Sequence, residues 1–78
     1  MKTDKKTFDK RKKIIKDIDT IRRAKKITQE TVGKGAEIAR ENVSKFFRGS
    51  ICPTLDTVIR VCDAVGCEIK VFNGGDLE

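Results

Sequence analysis

The chain contains no histidine, no tryptophan and no tyrosine, and only four phenylalanines among its 78 residues. Without histidine, the usual general base and a common zinc ligand are missing. The three cysteines, Cys52, Cys62 and Cys67, lack the C-x-x-C spacing of a zinc ribbon or redox motif. No nucleotide-binding glycine loop is present, and the acids are scattered along charged faces rather than gathered in a pocket. The expectation is therefore a protein that is not an enzyme and takes no metal or other cofactor. An odd cysteine count also argues against a secreted disulfide framework, and Cys62 reads as a buried, inert thiol. Scarce aromatics leave little to stack on single-stranded bases, which disfavours RNA. No apolar run is long enough to span a membrane and no secretory signal opens the chain, so a cytoplasmic address is expected.

What is present is isoleucine, valine, alanine and charge. A chain of 78 residues makes one domain near the lower limit for a self-sufficient hydrophobic core, so help from a second copy is reasonable on size alone. The net charge of +6 is unevenly spread. Residues 1–26 carry twelve Lys/Arg against four acids, residues 27–52 four against three, and residues 53–78 two against five. A basic front that faces an anion and an acidic back that faces away is the asymmetry of a nucleic-acid binder.

Periodicity predicts four helices. Residues 1–7 read as a flexible basic arm. Ile14, Ile18 and Ile21, widened by Ile15 and Ala24, form a stripe that places the first helix near residues 9–25, with Lys10, Arg11, Lys12, Lys13, Lys16, Arg22 and Arg23 around it. Thr28 is a good N-cap for a second helix from about Gln29 to Ala36, weakened by Gly33 and Gly35. A third helix covers about Ala39–Phe47, with Val43, Phe46 and Phe47 inward and Gly49 as its stop. Thr54 caps a fourth, which Gly66 ends, and Leu55, Val58, Ile59, Val61, Cys62 and Val65 are expected to bury one broad side of it.

Residues 67–72 switch to period two, which predicts a short C-terminal strand of Cys67, Glu68, Ile69, Lys70, Val71 and Phe72. A lone strand leaves its backbone groups unpaired, and its simplest partner is the same strand of a second chain about a two-fold axis. These six residues are thus the candidate dimerisation segment. Residues 73–78 read as a flexible tail, which leaves 8–72 as the domain.

Gln29 through Gly49 can be laid without a gap on a helix-turn-helix unit, with apolar requirements met by Val32, Ala36, Ile38, Val43 and Phe46. From Ile18 to Cys67 the chain resembles the lambda-repressor-like family of regulators, the Cro/phage-repressor or XRE type. The resemblance runs through Ile18, Ile21 and Arg22, then Ile27–Glu30, Val43–Ser44 and Arg48–Gly49, and ends in Pro53–Leu55, Val58, Val61 and Ala64–Gly66. It implies an all-α bundle of four or five helices and a sequence-specific repressor that binds double-stranded DNA as a homodimer. By the same resemblance Gln29 holds a backbone phosphate, and Thr28, the cap beside it, is counted with it among the DNA-binding residues. Ala39, Arg40, Glu41 and Asn42 face base edges, Lys45 reaches bases or phosphate, and Arg48 takes a phosphate. Side-chain chemistry agrees: Arg40 can donate two bonds to guanine, Asn42 pairs with adenine and Glu41 accepts from cytosine.

Three departures from the family pattern stand out. Glu37 occupies the turn position that usually carries glycine, so the turn is either strained or differently shaped. Phe47 stands where an acid usually pairs with Arg22, which suggests an Arg22 free to contact phosphate. The strand at 67–72 replaces the last family helix. Some antitoxin-type members carry such a strand, so a second reading is an antitoxin or adaptor whose main role is to bind a partner protein such as a toxin.

Overall fold

Asp4 starts the first helix. Its carboxylate accepts the Thr7 N–H at 2.8 Å, and hydrogen bonds from the Thr7 backbone and then its side chain hold the carboxyl below its ordinary range. Helix α1 consequently spans Lys5–Ala24, earlier at its start than the apolar stripe alone implies. The computed structural model describes residues 4–71, so residues 1–3, Phe72 and the tail expected at 73–78 lie outside it. Three more helices follow: α2 Gln29–Ala36, α3 Arg40–Arg48 and α4 Leu55–Val65. None of them, nor α1, is long and apolar enough to cross a membrane.

The caps read from the sequence are in place. Thr28 and Thr54 each accept the N–H three residues on, at 3.1 Å in both cases. Gly49 and Gly66 adopt the left-handed conformation that ends α3 and α4. Past Gly66 the chain turns back, and the Cys67 N–H donates to the Cys62 carbonyl at 2.9 Å. Lys25, just past the end of α1, closes the same end, its Nζ donating to the carbonyls of Val65 and Gly66 at 3.0 Å each.

All four helices contribute to one core. Ile15 and Ile18 come from α1, Val32 and Ala36 from α2, Val43 and Phe46 from α3, and Val61, Cys62 and Val65 from α4. Helix α2 is central: it packs on α3 and most extensively on α4, while α1 braces both α3 and α4. Helix α3 does not pack on α4. The two glycines of α2 mark the close approaches. A Cβ at Gly33 would meet the Ile38 carbonyl oxygen at 2.8 Å, and one at Gly35 would meet the Ala64 Cβ at 3.1 Å. Gly35, which no family requirement explains, thus lets α2 lie against α4.

Two expectations fail here. The apolar side of α4 is not wholly covered: Leu55 is 68% exposed, and Ile59 is exposed with Ile14 and Ile21 of α1. One long helix and three short ones do not supply enough surface to cover a stripe this broad. Among the described residues the strand expected at 67–72 does not form either, since Cys67, Glu68, Ile69, Lys70 and Val71 carry no regular secondary structure. A strand needs a neighbour to pair its backbone groups, and every regular element among the described residues is helical.

Burial pushes the Cys62 thiol up to about 12, with the adjacent Cys67 adding to the shift. Thiolate is the reactive species, so Cys62 is inert in the native fold. Exposed Cys52 is expected to react first with a maleimide at neutral pH and Cys62 only after denaturation, as peptide mass mapping would read. Early labelling of Cys62 would show that α4 is not held as described.

Candidate nucleic-acid interface

Helix α3 is anchored from below and bare above. Val43 and Phe46 are fully buried. Phe47 meets Phe46 edge to face, with centroids 5.1 Å apart and planes at 88°. These three positions fix which way the helix faces. On the opposite side Ala39, Arg40, Glu41, Asn42, Lys45 and Arg48 are all exposed. The structure therefore brings six of the eight residues singled out from the sequence onto one element and one side of it. Thr28 and Gln29, at the start of α2, complete the set. Gln29 is half-buried, and the Thr28 hydroxyl is engaged by the Thr31 N–H and the Thr31 hydroxyl.

The turn that presents α3 is strained, as the first of the two alternatives for Glu37 requires. Glu37 sits at φ 59°, ψ 46°, and its N–H donates to the Gly33 carbonyl. A non-glycine residue there costs about 1 kcal/mol. The Ile38 N–H reaches the same Gly33 carbonyl at 2.9 Å. Gly33 thus serves twice: its carbonyl closes the turn, and its missing side chain leaves room for Ile38 and Val43. Ala39 begins α3 without a side-chain cap.

Arg22 is not free to contact phosphate. It is 9% exposed, and its Nε and Nη2 reach Asp19 Oδ1 at 2.8 and 2.7 Å. Its Nη1 donates to the Ile27 carbonyl at 2.7 Å. The guanidinium lies 5.1 Å from the centre of the Phe47 ring. The acid missing from α3 is therefore supplied by α1 itself, three residues earlier, and Phe47 becomes a stacking surface. Arg22 ties α1, the α1–α2 loop and α3 together, which is a positioning role. The i, i+3 spacing of Asp19 and Arg22 was the available signal.

Basic side chains gather at the end of α3. Lys12 and Lys16 of α1 lie beside Arg48 and Gly49 at the end of α3, in a cleft also lined by Asp19 and Phe47. Sequence reasoning placed these lysines only on a general basic face. No group of three or more His, Cys, Asp or Glu residues that could hold a metal ion occurs among the described residues.

A family model described as helix-turn-helix matches residues 18–72 of the chain. No curated protein and no solved structure matches it.

Proposed function

The chain belongs to the helix-turn-helix family of the Cro/C1 (XRE) type, whose members bind double-stranded DNA, and on that premise we propose a sequence-specific transcriptional regulator that binds an inverted repeat as a homodimer, with α3 in the major groove. One observation carries this reading: the polar side of α3 stands clear of the protein while Val43 and Phe46 lock its apolar side into the core. In that pose Arg40, Glu41 and Asn42 address base edges. Lys45, one turn further, reaches bases or phosphate, and Thr28, Gln29 and Arg48 take backbone contacts.

A second copy of the chain is supported by the apolar face left uncovered by α1 and α4. Ile14, Leu55, Ile59, Ile69 and Val71 are exposed there. Lys10 and Arg11 flank one end of the face, and Asp63 and Glu68 the other. A two-fold axis would bring the basic edge of each protomer onto the acidic edge of its partner, which is the self-complementarity an isologous interface needs. Residues 67–71 lie within that face, and pairing with the same segment of the partner would supply the neighbour that their backbone lacks. The two copies of α3 would then engage half-sites about 34 Å apart. An antitoxin-like role would cover the same face with a different protein. The mass of the purified protein, alone and bound to duplex, separates the two.

Duplex selected from a randomised pool supplies the test. Arg40→Ala should cost about 1–3 kcal/mol on the best site and relax its sequence preference. Lys45→Ala and Arg48→Ala should weaken binding to all duplexes. Electrophoretic titration at two salt concentrations reads both effects. An Arg40 variant that keeps the wild-type preference would remove base reading from α3.

A further inference from the structure

Nine residues of α3 extend roughly 13 Å along the helix axis, and a B-form major groove is about 12 Å wide. A helix whose first turn reaches the bases therefore brings its last turn to a wall of the groove, where the phosphates are. The structure places three cations at that last turn. Arg48 ends α3, and Lys12 and Lys16, one turn apart on α1, line the cleft beside it. The Lys12 stem lies over Gly49, where a Cβ would sit 3.7 Å from the lysine Cγ.

No carboxylate among the described residues neutralises these charges, and the Lys12 ammonium has only the Phe8 ring, 5.4 Å from its centre. Elsewhere on α1, Lys5 and Lys13 each have an acid one turn on, Asp9 at 3.4 Å and Asp17 at 3.3 Å. Lys12, Lys16 and Arg48 have no ion-pair partner among the described residues. The acid that lines their cleft, Asp19, already holds Arg22 at 2.7 Å and Arg23 at 3.0 Å. The carbonyl end of α3 offers roughly half a negative charge, against three full positive ones. Like charges one turn apart also disfavour a helix. Such a corner is unfavourable until an anion enters it.

We propose that Lys12, Lys16 and Arg48 form a phosphate-binding corner that grips the backbone of duplex DNA beside the bases faced by α3. The inference rests on the DNA-binding reading above and adds to it two residues that precede the family match at 18–72. The corner holds the duplex at the far end of α3, so it fixes how deep and at what tilt the helix enters. It carries no sequence information of its own.

The test compares wild type with Lys12→Gln/Lys16→Gln and with a control pair, Lys10→Gln/Lys13→Gln, which removes equal charge from α1 away from the cleft. Binding to the selected duplex and to a scrambled duplex of the same length is titrated across a salt series. Each lost phosphate contact lowers the slope of log K against log salt by about 0.9. The Lys12/Lys16 variant should lose about two contacts' worth of slope, weaken both duplexes equally and keep the wild-type specificity ratio. The control pair should lose less than half of that slope. Circular dichroism of the free proteins should be unchanged, since all four side chains are exposed. An unchanged slope in the Lys12/Lys16 variant, or an equal drop in the control pair, overturns the corner while DNA binding by α3 stands. A wild-type protein that binds neither duplex overturns both readings.

Discussion

Phe46→Ala is expected to remove about 3–5 kcal/mol of folding stability. Phe46 is the largest fully buried side chain, and it connects α3 to the rest of the core. A chain of 78 residues holds in total about 4–12 kcal/mol, so the loss removes a large part of that stability and raises the unfolded population in the absence of DNA. Urea titration followed by circular dichroism measures the loss. Because Phe46 faces away from the exposed side of α3, the folded fraction should keep the wild-type sequence preference. Excess selected duplex should then recover folded protein by mass action. A loss below about 1 kcal/mol, on the scale where volume-conserving core changes fall, would mean that α3 is not held by this anchor.

Asp19→Ala should come next in severity, at about 3 kcal/mol, because it leaves the buried Arg22 guanidinium without its carboxylate. In the Asp19→Ala background, Arg22→Met should recover part of the loss, since an apolar side chain leaves no uncompensated charge under Phe47. Recovery will be incomplete, because the Ile27 carbonyl loses the donor that it has at 2.7 Å. A double-mutant cycle by denaturant melts reads the coupling directly. Strictly additive losses would show that Asp19 and Arg22 act independently and that the ion pair does not organise this corner. Specific DNA affinity should fall along with stability, since Arg22 also bears on Phe47 and hence on the pose of α3.

Much of this architecture was legible because its signals are local. Thr28, Gly49, Thr54 and Gly66 act within one turn of themselves, so α2, α3 and α4 fall close to where their caps put them. The start of α1 was missed because Asp4 precedes a stretch of lysines in which no apolar stripe has begun. Arg22 was misread because its partner was sought on α3, where the family has an acid, when it stood on its own helix. Leu55 and Ile59 were assigned to the core because an apolar side chain in a helical register shows only that it faces inward. Whether another element arrives to cover it depends on how much chain there is. Residues 67–72 failed for a related reason: alternation identifies a segment fit for a sheet but supplies no neighbour.

Helix α3 rests on α1 and α2 and not on α4. On the proposed reading, substitutions at Leu55, Ile59 or Ile69 would therefore retune what docks on the back of the molecule while the front keeps the same grip on its address. Changes in the exposed residues of α3 would likewise shift that address without disturbing the company proposed for the back. The two proposed surfaces thus occupy separate walls of one very small building.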